Sequence, residues 1–322
     1  MSYARTGWLA ALLIFGVAGL PNMAAAEGSR AGCPQSLDRK IPAARSDALG
    51  GSAFAAQVGD VSGTERDGVA ERALLAGDIP QFLRHLRPVT LRGRTASGKP
   101  VSITVCVTPD YLAVGTDKDF VRVPMGLPAA AAIADRFGFV LPTTKIVDAI
   151  YAQADVHMPP EPLTAGPQMR STAYFVRHNR MVREERLAEG ARLGMLIAGQ
   201  KKDLVITNRL RTHPGRVAIY GWHRENGHPI QPLSTVHGEN YADYSHGIRF
   251  VSTIAYVDNK ERSLLDILQD PNLAPVVSAE GPIPKVGMLL ASLESKSPEA
   301  HAPQPEIASA NRMQSRPASA TR

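Results

Sequence analysis

Apolar and polar residues follow two different periods along the chain. Over residues 89–125, β-branched residues alternate with polar ones between turn signals, which predicts a run of antiparallel strands. Helical spacing follows over residues 127–156, where Gly138 stands at the expected end of one helix and Thr143 or Thr144 at the start of the next. Strands and helices are grouped more than they alternate. This predicts an α+β fold with a mixed or mainly antiparallel sheet and helices packed on it.

The clearest hairpin in the chain is centred on Asn226-Gly227. These two residue types tolerate positive φ, so a two-residue turn is expected there. Pairing outward from that turn places Trp222 and His237 on one face of the hairpin and His223 on the other.

The first 26 residues have the order of a secretory signal peptide. Arg5 is their only charged residue, an apolar run extends from Trp8 to Leu20, and small residues precede Glu27. The apolar run is too short to span a bilayer, and no later segment approaches the roughly 18 apolar residues that a spanning helix needs. A periplasmic or secreted protein without a transmembrane segment is therefore expected.

Composition divides the rest of the chain into three parts. Residues 27–69 are poor in large apolar side chains, which predicts a flexible arm. Residues 70–287 are long enough to bury a core, so we expect them to form a single compact α+β domain. Residues 288–322 are rich in Ser, Ala, Pro and Gln, which is typical of a disordered tail.

The chain has two cysteines, Cys33 and Cys106. An oxidising compartment allows a disulfide to persist, so we expect these two to pair and to tie the arm to a strand. Unpaired thiols are the alternative. A cysteine-rich zinc site is excluded, because it would need more thiolates than the chain holds.

The formal charge of the chain is +6, and loss of Arg5 with the signal peptide lowers it to +5. The basic residues are scattered rather than gathered in a stripe with aromatics, so nucleic-acid binding is not expected. The surplus fits either an affinity for acidic envelope polymers such as peptidoglycan or an acidic glycan, or an ordinary solvated surface. The sequence leaves the oligomeric state open.

The stretch "HGENYADYSHGIRF", residues 237–250, concentrates the residues most suited to chemistry. Five of the nine histidines fall between positions 213 and 246. His237, Asp243 and His246 have the residue types of a zinc site or an acid–base site. A zinc ion held by them would lower the pKa of a bound water to about 7.

A site without metal is equally compatible with these residues. Tyr244 or His246 would donate a proton, His237 would be the partner base, and Arg249 would neutralise a uronate or a developing oxyanion. In the alternative without chemistry, the tyrosines pack, Asp243 caps a turn and the histidines satisfy backbone groups.

The segment "AGQKKDL" offers a second candidate for acid–base chemistry. A partly buried Lys201 or Lys202 with a depressed pKa would serve as a base beside Asp203. The alternative is a pair of lysines that extend their charged ends into water at the entrance to a strand.

Two resemblances bear on this region. "SHGIR", residues 245–249, resembles the "SHGCIR"-type signature of L,D-transpeptidases, with His237-Gly238 upstream as in that family. The nucleophilic cysteine of the motif is absent, since Gly247 is followed directly by Ile248. This likeness implies a shared envelope context and carries no catalytic residue over.

A wider resemblance is to a family of exported bacterial proteins of uncharacterised activity. The stretches that carry it include "VTPDYLAVGTDKDFVRVPM", "AGQKKDLVITNRL", "VAIYGWH" and "DYSHGIR". They lie between about residues 78 and 285, and the resemblance implies that they belong to one folded unit.

These observations favour an exported hydrolase that acts on a cell-envelope polymer, most simply peptidoglycan. Its site would lie on the loop after the Asn226-Gly227 hairpin and use the His/Asp cluster, with zinc or by acid–base chemistry alone. A non-catalytic envelope- or glycan-binding module and a metal-free polysaccharide lyase are the alternatives.

Overall fold

A computed structural model describes Cys33, residues 40–43 and residues 47–301; the predicted signal peptide lies outside them. The α-helices in these ranges are α1 (Gly51–Val58), α2 (Gly63–Leu75), α3 (Leu127–Phe137), α4 (Thr144–Ala152), α5 (Thr172–Ala188), α6 (Arg209–Thr212), α7 (Leu264–Gln269), α8 (Ala274–Val277) and α9 (Val286–Glu294). The strands are β1 (Arg87–Arg94), β2 (Pro100–Val107), β3 (Ala113–Gly115), β4 (Phe120–Arg122), β5 (Phe139–Val140), β6 (Val156–His157), β7 (Ile197–Ala198), β8 (Lys202–Leu204), β9 (Ile219–His223), β10 (Pro229–Ser234), β11 (His246–Gly247), β12 (Val251–Val257) and β13 (Lys260–Ser263).

Two sheets organise the fold. The larger one is antiparallel, with strand order β1-β2-β12-β13 and β5 paired to β12. The smaller sheet has the order β10-β9-β8-β11, and its last pair, β8 and β11, is parallel. Two-stranded ribbons join β3 to β4 and β6 to β7. The predicted α+β class with mixed and antiparallel sheets is confirmed.

The helices predicted in the middle of the chain form where their end signals stand. α3 ends at Gly138, which adopts the left-handed conformation with φ 77°. α4 begins after Thr143, whose hydroxyl accepts a hydrogen bond of 3.2 Å from the amide of Ile146. Both helices bury one apolar face in the same core as the larger sheet.

The structure corrects the predicted extent of the flexible arm and of the disordered tail, because helices form where each of them adjoins the domain. Within the predicted arm, α1 buries Phe54 and Val58, and α2 begins at Gly63 and packs against α3. Much of the buried face of α2 consists of ionisable and small residues, so a count of large apolar side chains underestimates its burial. At the other end, α9 continues to Glu294 and packs against α3. Residues 302–322 lie outside the described residues.

Cys33 and Cys106 form a disulfide with a Cα–Cα distance of 5.6 Å, so the predicted pairing is confirmed. Cys106 lies in β2 and is fully buried. A disulfide persists most readily in an oxidising compartment. None of the helices within the described ranges combines the length and apolar character that crossing a bilayer requires.

The hairpin of β9 and β10 forms, but its register differs from the predicted one. His223 pairs with Pro229, and the amide of Arg224 donates to the carbonyl of His228, so the turn is longer than two residues. Gly227 adopts a φ of 80° within that longer turn. A shift of one residue exchanges the two faces of a strand. The predicted cross-strand partners are therefore wrong, since Gly221 rather than Trp222 pairs with Gln231.

Replacing Cys33 by serine tests the stabilising role of the disulfide. The bridge closes a loop of 73 residues, so its loss should lower the free energy of unfolding by about 4 kcal/mol. Urea unfolding of both proteins, with and without reductant, measures the difference. Reductant should destabilise the wild type to the level of the variant and leave Cys33→Ser unchanged. Equal stabilities without reductant would contradict the prediction.

Candidate acid–base site

The parallel pairing of β8 and β11 brings two ionisable residues together on one face of the smaller sheet. His246 is directly paired with Lys202, and Gly247 with Asp203. In-register neighbours project to the same side of a sheet, so the His246 ring lies beside the Lys202 side chain. Lys202 is half-buried, whereas His246 is only 1% exposed.

The loop before β11 places further polar rings against this pair. The ring of His237 stacks on that of Tyr241 with a centroid distance of 4.0 Å and an angle of 10°. Tyr241 meets His246 edge-on at 5.6 Å, and the two imidazole rings are 6.5 Å apart. A turn closed by the amide of Tyr241 and the carbonyl of Gly238 holds these rings together.

The carboxylate of Asp243 organises the turn that carries these rings. Its Oδ1 accepts hydrogen bonds from the amide and the hydroxyl of Ser245 at 2.8 and 2.6 Å. Its Oδ2 accepts one of 3.0 Å from Tyr241 and lies 3.9 Å from Nε2 of His246. Burial alone would raise the pKa of Asp243. The His246 imidazolium that forms in acid and the Ser245 hydrogen bonds outweigh burial and hold that pKa below its usual value.

These contacts correct the predicted zinc ligands, His237, Asp243 and His246. The structure brings the three residues into one region, yet no group of three His, Cys, Asp or Glu side chains in the described residues is arranged to hold a metal ion. Both oxygens of Asp243 are used by Ser245 and Tyr241, and the Tyr241 ring packs against both imidazoles.

Two other predicted site residues have contacts that differ from their expected roles. The Tyr244 hydroxyl, predicted as a proton donor, accepts a hydrogen bond from the Leu163 amide at 2.7 Å and donates to the Leu163 carbonyl at 3.2 Å. Arg249, predicted as an anion clamp, is fully buried and donates to the carbonyls of Thr108 and Ile197. Both side chains hold loops together instead of facing the acid–base site.

Burial sets the protonation of the two imidazoles. It lowers the pKa of His246 to about 4, and neither ring nitrogen of His246 has a hydrogen-bond partner among the described residues. Burial also lowers the pKa of His237, and the charges of Lys202 and Arg216 lower it further against the opposing effect of Asp243. Both rings are therefore neutral near pH 7, which is the form that accepts a proton. His237 is the more exposed of the two.

Lys202 and Trp222 complete the site. Burial lowers the pKa of Lys202, with Asp243 opposing the shift, and its Nζ lies 4.8 Å from the ring centroid of Trp222. Trp222 has a φ of 57°, a strained value for a bulky side chain, and its indole Nε1 has no partner among the described residues. Backbone strain of this kind is concentrated at functional sites.

Of these residues, sequence reasoning assigned no role to Tyr241 or Trp222 and gave Lys202 only a secondary place. Tyr241 could have been found as the remaining tyrosine of the same fourteen-residue stretch. The left-handed backbone of Trp222 has no sequence signal, because glycine or asparagine is expected at such a position.

A layer of buried charges lies beneath the sheet. Lys201 is 1% exposed, its Nζ donates to the Tyr244 carbonyl, and burial lowers its pKa to about 7. Burial raises the pKa of Asp203 to about 6 although Tyr111 donates to it at 2.9 Å. The alternative in which both lysines reach water is therefore wrong for Lys201. Of these two lysines, only Lys202 is exposed enough to contact a ligand.

His223 lies apart from the acid–base site. Its Nε2 is 3.0 Å from Oδ1 of Asp148, and its ring stacks on Tyr151 at a centroid distance of 4.5 Å. The predicted separation of His223 from His237 therefore agrees with its observed contacts, although the register used to derive it was one residue off.

In comparisons with known proteins, no family model, no curated protein and no solved structure matches the chain.

Replacing His246 by leucine tests the burial of a neutral imidazole. The pKa of histidine in the unfolded chain is about 6.5, whereas that of His246 in the folded protein is about 4. Between these two pH values the imidazole is protonated in the unfolded chain and neutral in the folded protein. Wild-type stability should therefore be lost as pH falls through this window, by about 3 kcal/mol for this group. The leucine variant should lack that loss.

Urea unfolding at pH 7, 5.5 and 4 provides the measurement, with the exposed His213→Leu as the matched control. The stability of His246→Leu relative to wild type should improve steadily towards pH 4, while that of His213→Leu should change little. Parallel pH dependences for wild type and His246→Leu would show that His246 is not buried in its neutral form.

Proposed function

We propose that this protein is an exported enzyme that cleaves an acidic polymer of the cell envelope, peptidoglycan first among the candidates, by acid–base chemistry. One observation carries the proposal: a half-exposed neutral imidazole, His237, stacks on Tyr241 in a site that also holds the Lys202 ammonium. A base that activates the attacking group and a cation that stabilises developing negative charge both accelerate the cleavage of a polar bond.

In the hydrolytic form of the reaction, His237 takes a proton from a water molecule that attacks an amide or ester carbonyl. Lys202 stabilises the negative charge that develops on the carbonyl oxygen. The bond from the carbonyl carbon to the leaving nitrogen or oxygen then breaks, and the leaving group takes the proton from the His237 imidazolium. Tyr241, whose hydroxyl donates a hydrogen bond to Asp243, holds the His237 ring in place by stacking. The neutral His246 lies behind them and excludes water from the inner side of the site.

The charge distribution favours elimination as a second candidate reaction. Asp243 is occupied by hydrogen bonds, and Glu239 pairs with Lys296 at 2.8 Å. Three cations remain near the Tyr241 and His237 rings: Lys202, the exposed Arg216, and Arg170, whose Cζ lies 5.3 Å from the Tyr241 ring centroid. A positive site with a neutral base suits a substrate whose own carboxylate acidifies the carbon next to it.

In that reaction His237 removes the proton from the carbon that bears the uronate carboxylate. The bond to the glycosidic oxygen breaks, a carbon–carbon double bond forms, and the leaving oxygen takes a proton from Lys202. Hydrolysis and elimination therefore use the same residues and differ in their products.

Three observations support an envelope location. The Cys33–Cys106 disulfide fits an oxidising compartment, and residues 1–26 have the order of a signal peptide. The resemblance of "SHGIR" to the L,D-transpeptidase signature agrees with the same context. Periplasmic or secreted placement is part of this proposal.

Replacing His237 by glutamine should reduce polymer cleavage about 100-fold or more, because the amide cannot accept the proton. Lys202→Met should lower kcat with little change in the free energy of unfolding, since Lys202 is half-buried at the surface of the sheet. Release of soluble fragments from purified sacculi and from polygalacturonate measures the activity. Unsaturated products, detected by ultraviolet absorbance, distinguish elimination from hydrolysis.

His213→Gln, an exposed histidine substitution outside the site, is the control and should keep full activity. Retention of sacculus binding without any fragment release by the wild type would favour the non-catalytic binding module. Full activity of His237→Gln would remove His237 from the reaction.

The pH dependence of kcat/KM provides an independent check on the base. Because the pKa of His237 is lowered from its usual value near 6.5, the acid limb of the profile should lie below pH 6.5. A rate profile from pH 4 to 8 measures it. An acid limb above pH 6.5, or an unchanged limb in His237→Gln, would contradict the assignment of His237 as the base.

A further inference from the structure

An open groove lies beside the acid–base site, with a volume of about 540 Å³. Prolines line one side of it and the tip of the β9–β10 hairpin the other: Pro159, Pro160, Pro162, Trp222, Arg224, Glu225, Asn226 and Ile230. This volume is within the range of small-ligand sites, roughly 300–1,000 Å³, and the lining combines apolar surface with a few polar groups as such sites do.

The proline side of the groove is a fixed wall. The segment is held at one end by a 2.8 Å hydrogen bond from the Met158 amide to the Ala198 carbonyl. At the other end the Leu163 amide donates to the Tyr244 hydroxyl at 2.7 Å. Proline rings have restricted backbones and no amide proton, so this wall presents an apolar surface at little entropic cost. It gives Tyr244 a role in shaping the groove.

The hairpin side of the groove supplies an aromatic ring and polar atoms. Trp222 is held in its strained conformation by the hydrogen bond of its amide to the Lys201 carbonyl, 3.0 Å. Ile230 is 40% exposed and lines the groove with its apolar side chain. Arg224 and Asn226 are exposed at the rim and offer donors to a ligand.

Trp222 connects the groove to the acid–base site, because its ring lies 4.8 Å from the Nζ of Lys202. A ligand in the groove would therefore extend towards Lys202, which is paired with His246. We infer that the groove binds the sugar rings of the substrate next to the bond that is cleaved. This inference rests on the proposed function and identifies the substrate as a carbohydrate chain of at least two rings.

A carbohydrate fits the groove because of its own chemistry. The faces of pyranose rings are apolar and match proline and tryptophan side chains, while their hydroxyl edges match the donors of Arg224 and Asn226. A peptide strand would instead seek unpaired backbone groups at the edge of a sheet. The proline wall of the groove cannot donate such hydrogen bonds, because Pro159, Pro160 and Pro162 lack amide protons.

Tryptophan fluorescence can test the inference directly, because the chain contains only Trp8 and Trp222. In the full chain with Trp8→Phe, emission reports on Trp222 alone. Titration with N-acetylglucosamine oligomers and with galacturonate oligomers should change this emission in a saturable manner. Ile230→Asp should weaken binding about tenfold or more, equivalent to about 1.4 kcal/mol. Met288→Asp, also an exposed apolar residue but on α9, should bind as the parent does.

The two oligomers separate the contributions of ring stacking and charge. Binding of both, weakened by Ile230→Asp, would support a carbohydrate groove, and tighter binding of the galacturonate would favour an acidic substrate. Binding that is lost in Ile230→Asp without any cleavage would leave the groove assignment standing while the proposed catalysis fails. No emission change with either oligomer, or equal affinities of parent and Ile230→Asp, would overturn the inference.

Discussion

The parallel pairing of β11 with β8 is the constraint on which the acid–base site depends. Two residue pairs set it: His246 lies beside Lys202 on one side of the sheet, and Gly247 lies beside Asp203. Gly247 permits this approach, because a Cβ there would lie 2.5 Å from Cδ1 of Tyr111 and 2.8 Å from Cβ of Lys201. The Asp243 carboxylate then fixes the turn before β11 through Ser245 and Tyr241. A small change in the pairing of β8 with β11 would move the His246 imidazole, the Lys202 ammonium and the Asp243 carboxylate together.

Desolvation is the largest cause of the pKa shifts of the titratable groups around the β8–β11 pair. It keeps His246 neutral, lowers the pKa of Lys201 to about 7 and raises that of Asp203 to about 6. Burying ionisable groups is unfavourable unless partners compensate, so such groups are uncommon in a core without a function. In this fold they adjoin a surface where His237 and Lys202 are accessible enough to meet a ligand. The buried layer therefore positions the exposed pair.

Sequence signals within a few residues of each element were sufficient to predict much of the fold. The Gly138 and Thr143 signals placed the ends of two helices, and alternation placed the strands on either side of them. The same reasoning located the region of the site, since His237, Asp243 and His246 do come close together. Individual roles were harder to predict, because they depend on which side chain each polar atom meets in three dimensions.

Tyr244 and Arg249 illustrate this limit, since both have suitable chemistry and both are used to hold loops. The helices within the predicted arm were missed because α2 buries charged residues such as Arg66 and Asp67, which composition assigns to the surface. The most direct test of the account is a ¹³C-resolved NMR titration of the histidine rings in the full chain, with ring-to-ring nuclear Overhauser effects. We predict that His237 titrates below pH 6.5 and shows contacts to Tyr241, while His246 remains neutral down to about pH 4. Titration of both rings near pH 6.5, with no contact between His237 and Tyr241, would contradict it.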